Sequence, residues 1–193
     1  MSSREEILEK IKKNKPVGAI LPVIPDFPGD GEELEKIFEK SLIKNSGNLI
    51  STNSINDIHE YINKNYSPAQ KICSLIKGIE GNVDIEKIAD PHELKDLDLV
   101  ILKGEFGVAE NAAIWLSENT MGFRVLPFIT QHLIMVLSKK DLVENMHLAY
   151  KKINLKNVGF GVFIAGPSKT ADIEQNLVIG AHGSRSLTVF LMN

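Results

Sequence analysis

The chain reads as an α/β domain with a mostly parallel central sheet and flanking helices. Three observations predict this. Short apolar runs alternate with helical periodicities from residue 30 to residue 103, a βαβ rhythm. The run DLDLVILKG is apolar at consecutive positions, as in a strand covered on both faces. The 193 residues are 43% hydrophobic and 24% charged, the composition of a globular domain. A chain of this length buries about 70% of its unfolded surface, so one compact core needs no staples.

Taken in order, Ile7, Leu8 and Ile11 predict a short N-terminal helix that ends in lysines, where positive charge suits the helix C-terminus. The segment KPVGAILPVIPDFPGDG carries four prolines among apolar residues and reads as an ordered arm lying on the domain, or as a partner-docking segment. Residues 1–29 thus form a helix and arm, and residues 30–193 the α/β domain. Asp30 and Glu33 offer a capping box for a helix that faces Leu34, Ile37, Phe38, Ser41 and Leu42 inward, and Gly47 closes it. A strand near 48–51, a helix with Ile55, Ile58 and Ile62 inward, and a strand near 71–76 follow.

The middle is richer in strands: AAIWLS, FRVLPF and HLIMVLS suggest sheet extension or a small antiparallel patch. Asp141 and Glu144 offer a capping box for a helix with Leu142, Met146, Ala149 and Ile153 on one face. The last strands are VGFGVFIAG and LTVFLM.

Several functions are disfavoured at once. A formal charge of −3 lacks the basic excess of a dedicated nucleic-acid binder. One cysteine, Cys73, excludes an internal disulfide and any four-cysteine metal site made by this chain alone, and it reads as a buried apolar residue. His59, His92, His132, His147 and His182 show no HxxxH or HExxH spacing, so no metal site is predicted. No leader and no 18-residue apolar run is seen, so a cytoplasmic protein without a membrane span is expected. Trp115 reads as packing rather than a stacking platform.

The last third carries the most chemistry. In IAGPSKTADIE a strand ends at Gly166, Pro167 fixes a turn, and Ser168, Lys169 and Thr170 read as the start of a short helix. Free backbone N–H groups with two hydroxyls and a lysine would hold a small anionic metabolite at the carboxyl edge of the sheet. The plainer reading is that Ser168 and Thr170 cap a helix and Lys169 is solvated. Asp172 would orient Lys169 or Thr170, and Glu174 would reach a partner or pair with Arg185, or either is an ordinary surface acid. GAHGSRS places His182 on a tight turn with Arg185 close behind, either structural or a carboxylate clamp. Upstream, GEFGVAENAAIW puts Glu110 among small residues, where partial burial would suit it to proton transfer, or where it serves a structural hydrogen-bonding role; Glu105 reads as solvated. The glycines match neither a Walker loop nor a dinucleotide fingerprint.

GPSKTADIE, GAHGSR and the terminal apolar strand resemble the signature of the LUD domain family of C-type lactate-utilization proteins, over about residue 30 to the end. Where the family commonly continues its glutamate with Thr-Gly-Thr, this chain has Asn111, Ala112 and Ala113 after Glu110, so no hydroxyl-dependent role carries over. The resemblance implies a fold similar to the NagB/RpiA/CoA-transferase group and a place in a cytoplasmic system oxidising L-lactate to pyruvate. Iron–sulfur clusters would then sit in partner subunits, with no cofactor in this chain. On that reading Gly166, Ser168, Lys169, Thr170, Asp172, His182 and Arg185 bind the anion and Glu110 is a catalytic base. The alternative is a self-sufficient non-redox enzyme acting on a phosphate ester or acyl thioester, with Glu110 as nucleophile or base.

Overall fold

The computed structural model describes residues 2–16, 18, 20, 22–27, 31–154, 158–171, 177–180 and 182–193, with the side chains of Thr170, Ala171, Leu177 and Val178 left aside. Helix α1 (Ser3–Lys13) is closed by a capping box between Ser2 and Glu5, and none of its residues is buried. The end of the arm lies on the domain: Phe27 stacks on His147 at 4.7 Å, its carbonyl accepts from Asn145 at 3.0 Å, and Asp26 pairs with Lys151.

Helix α2 (Leu34–Lys44) buries Phe38 and Leu42 as its periodicity predicts. Its N-cap is Glu33 without a side-chain hydrogen bond, so the expected capping box does not form at that position; Asp30 lies outside the described residues. Strand β1 (Asn48–Thr52), helix α3 (Ile55–Asn65), strand β2 (Ile72–Ser74) and strand β3 (Leu99–Lys103) complete the predicted alternation. Then come strand β4 (Phe106–Val108), strand β5 (Ala113–Ser117), one-turn helices α4 (Glu118–Met121) and α5 (Leu126–Ile129), and strand β6 (His132–Ser138). Strand β7 (Leu142–Val143), helix α6 (Met146–Lys152), and strands β8 (Gly161–Ile164), β9 (Lys169–Ala171), β10 (Leu177–Ile179) and β11 (Ser186–Met192) close the chain.

Five strands form one sheet in the order β1-β11-β6-β3-β2, every neighbouring pair parallel. Consecutive side chains of β3 leave on opposite faces, as strand geometry requires. Leu99 and Ile101 join Ile58, Ile62, Ile134 and Phe190 under α3, whereas Val100 and Leu102 join Phe38, Leu42, Leu133 and Met135 under α2. A second sheet, β7-β4-β5-β8, lays Ile114, Leu116 and Ile164 on that α2 side and turns Phe106, Trp115 and Val108 towards Ala149 of α6. Of the segments expected to extend the sheet or form an antiparallel patch, AAIWLS pairs antiparallel with β4 and β8, with Trp115 packed there at 7% exposure, whereas HLIMVLS joins the parallel sheet as β6. Among the described residues no helix is long and apolar enough to cross a membrane.

Three local expectations are corrected. FRVLPF is not a strand: Pro127 starts the turn of α5, where its missing N–H costs nothing. The helix expected from Asp141 begins at Met146, because Leu142 and Val143 pair with Gly107 and Val108 instead, and Asn145 supplies the cap by accepting from Leu148 N–H at 3.0 Å. The helix expected after Pro167 is strand β9, paired antiparallel with β10 from Lys169 against Ile179 to Ala171 against Leu177.

Candidate functional site

Residues 164–169 leave β8, residues 182–184 lead into β11, and the two loops touch. A β-carbon placed on Gly183 would stand 3.0 Å from Cβ of Ser168 and 3.4 Å from its Oγ. Gly180, at φ 80°, turns the chain before His182 in the left-handed region that glycine adopts freely. Ser168 N–H donates to the Ser184 carbonyl at 2.8 Å, and Gly180 N–H donates to the Ser168 carbonyl at 2.9 Å. These bonds knit the loops into one wall. They also use the Ser168 amide, so the backbone anion nest expected there is not free at that residue; Ser168 offers its hydroxyl.

Between the loops lies an open cavity of about 460 Å³. Ser168, Lys169 and His182 supply hydroxyl, ammonium and imidazole, while Pro127, Phe128, Phe163 and Ile164 form its apolar wall. Lys169 and His182 are exposed and Ser168 is half-buried, so the cation keeps its water until a ligand replaces it. Asn45, the residue capping α2, forms the remaining side and is fixed by its Nδ2 donating to the Asn111 carbonyl at 2.8 Å. The cavity stands beside the segments entering β1, β6 and β11. It therefore occupies the amino edge of the parallel strands, not the carboxyl edge expected from the general habit of open α/β sheets.

Of the predicted residues, Gly166, Ser168, Lys169 and His182 come together here. Thr170 lies one residue further into β9, its side chain outside the described set, and Asp172 falls outside the described residues. Arg185 is exposed beyond the cavity lining, and its N–H donates to the Gln131 carbonyl at 2.7 Å. Glu110 does not join the cavity. It is exposed rather than partly buried, and Oε1 accepts the Met146 N–H at 2.8 Å at the start of α6. Glu110→Ala is accordingly expected to cost about 1 kcal/mol of stability by freeing that helix-end donor, with ligand affinity unchanged in a side-by-side titration. Glu105 is half-buried rather than solvated: its carboxylate accepts from Ser117 N–H at 2.9 Å and Thr120 Oγ1 at 3.3 Å, tying β5 to the loop after β3.

Sequence reasoning missed Asn45, Phe128 and Phe163, which carry no chemical signal of their own. It also passed over His132, whose Nδ1 lies 2.8 Å from Ser186 Oγ. Burial, and next the Arg185 charge, hold the His132 imidazole below its ordinary value of 6.5, with Asp98 opposing. A histidine depressed in the folded state binds fewer protons there than when unfolded. Stability therefore rises with pH through the interval just below 6.5 and falls on acidification. Melting curves from pH 5 to 8 should show this dependence flattened in His132→Gln. Burial, and next the Asp84 charge, push the Cys73 thiol up, and the side chain is fully buried, consistent with a packing residue.

The family model for the LUD domain matches residues 4–192, nearly the whole chain. The chain belongs to the LUD domain family. Among curated proteins this LUD domain is similar to lactate utilization protein C of Oceanobacillus iheyensis, 28% identical over 102 residues covering 50% of this chain and 44% of that protein. It is likewise similar to lactate utilization protein C of Anoxybacillus flavithermus, 34% identical over 86 residues covering 44% of this chain and 39% of that protein. These matches span less than half the length of each relative. Among solved structures, a DUF162 family protein from Deinococcus radiodurans superposes with a TM-score of 0.64 at 16% identity, covering 83% of this chain and 97% of that one. That likeness shows the fold: an α/β LUD domain with a mostly parallel central sheet and flanking helices.

Proposed function

We propose that this LUD domain serves lactate utilization by binding a small organic carboxylate, L-lactate or pyruvate, in the cavity of Ser168, Lys169 and His182. The observation that carries the reading is that Ser168, Lys169 and His182, whose side chains carry a hydroxyl, an ammonium and an imidazole, line one concave site together with an apolar wall. A lactate-sized anion needs that combination: a cation and donors for its carboxylate, and apolar surface for its methyl group. The names of the curated relatives support lactate as the metabolite served.

Oxidising lactate to pyruvate releases two electrons and two protons. In this proposal the electrons pass to iron–sulfur clusters of partner subunits in the cytoplasm, and this chain binds and orients the acid. Among the described residues no group of three His, Cys, Asp or Glu is placed to hold a metal. The alternative of a phosphate-ester or thioester enzyme would use Glu110 at the reacting group, and the Glu110 carboxylate instead accepts the Met146 N–H at the start of α6.

The test is reconstitution with candidate iron–sulfur partner proteins from the same organism. The expected result is lactate-dependent electron transfer by the assembly, none by this chain alone, and at least a tenfold loss with Lys169→Ala/His182→Ala. Oxidation of lactate by the isolated chain, or full activity of the double variant, would overturn the proposal.

A further inference from the structure

Helix α1 is well made and buries nothing. Its capping box, acidic first turn and basic last turn all favour a helix, yet Ile7 is 56%, Leu8 43% and Ile11 54% exposed. An isolated helix shorter than about 12 residues is marginal in water, so a helix of this length gains its stability by covering its apolar face. Ile20 and Val23, in the arm that follows, are 97% and 94% exposed and extend the apolar surface.

The charges around the stripe name what would cover it. At about 100° per residue, Ile7, Leu8 and Ile11 share one face, and Glu5 and Lys12 both flank that face on the Leu8 side. They have opposite sign and are seven residues apart. A second α1 laid antiparallel, with a two-fold axis passing between residues 8 and 9, brings Ile7 to within one residue, about 1.5 Å along the helix, of the level of Ile11 of the other copy. The same axis sets Glu5 beside Lys12 of the other copy, twice. Parallel pairing instead brings Lys12 towards Lys10 of the other copy. The surface is thus self-complementary in the sense a two-fold interface requires. A groove lined by Ile7, Lys10, Ile11, Asn14, Lys15 and Pro16 beside the stripe gives the opposing apolar side chains room.

We propose that α1 is a self-association element through which two copies of this chain pair antiparallel. The face is short, so the dimer belongs to the weak, exchanging class of interfaces, and its charge pairs make it sensitive to salt.

Sedimentation equilibrium of the full chain tests this. The expected result is a concentration-dependent dimer that weakens as salt rises and is lost in Ile11→Glu, with the melting temperature unchanged because α1 packs on no core. Glu5→Lys and Lys12→Glu should each be monomeric alone, and an equimolar mixture of the two should recover dimer at least tenfold tighter than either variant by itself. Lys12→Glu leaves the capping box intact, and circular dichroism of each variant checks that the helix persists. A monomer at every concentration, a dimer indifferent to Ile11→Glu, or a mixture no more associated than its components would overturn the proposal.

Discussion

Phe190→Ala is expected to destabilise the domain by about 3–5 kcal/mol, the cost of deleting a large aromatic ring from a closed site. Phe190 is fully buried in β11, the strand flanked by β1 and β6, so its loss opens space at the middle of the sheet. Its ring meets Tyr61 of α3 edge-on at 5.3 Å and packs in the layer that holds Ile58, Leu99 and Ile134. That layer is pinned between a regular helix and parallel strands, and neither can collapse far into the void. For a domain of this size the loss corresponds to a melting temperature lower by roughly 6–20 °C. A shift within a degree or two of the wild type would mean that α3 does not pack where the structure places it.

Gly166→Val is expected to damage the cavity and the fold together. A β-carbon at Gly166 would stand 2.6 Å from the Asn45 carbonyl oxygen and 3.2 Å from Asn45 Cβ. The first of these is main chain and cannot rotate away. It is held by Asn45 N–H donating to the Ser41 carbonyl at 3.0 Å and by the Asn45 side chain on the Asn111 carbonyl. Valine therefore forces the loop after β8 away from the end of α2, at about 1–3 kcal/mol for overpacking. The displaced loop carries Ser168 and Lys169 with it. Lactate or pyruvate affinity should drop more than tenfold at temperatures where circular dichroism still reports a folded chain. A folded Gly166→Val protein with unchanged affinity would place the ligand elsewhere.

Much of the scaffold was legible from local pattern because local pattern determines it. The periodicities of α2 and α3 and the two-faced apolar run of β3 each state which faces are buried, and the sheet that follows is parallel for that reason. Residues 123–128 and 141–145 misled because short apolar segments fit either period. Their state was settled at long range, by the pairing of Leu142 and Val143 with β4 and by the proline of α5. The candidate site was legible in part. Gly166, Ser168, Lys169 and His182 stood out as a dense run of loop residues near the end of the chain. That the run after Pro167 would be a hairpin, and would use the Ser168 amide on Ser184, depended on a partner loop sixteen residues away. Asn45, Phe128 and Phe163 reach the cavity only through tertiary packing, and nothing in their own neighbourhoods announces it. Glu110 was singled out for its small neighbours, yet its side chain is exposed and its carboxylate accepts the first N–H of α6, a partner 36 residues on.

Whether Lys169 and His182 hold a carboxylate is tested most directly by calorimetric titration of the purified chain with L-lactate and with pyruvate. The expected result is saturable one-to-one binding of at least one of the two acids, weakened tenfold or more in Lys169→Ala/His182→Ala and unaltered in Glu110→Ala. No heat with either acid, or the same affinity in the wild type and the double variant, would contradict it.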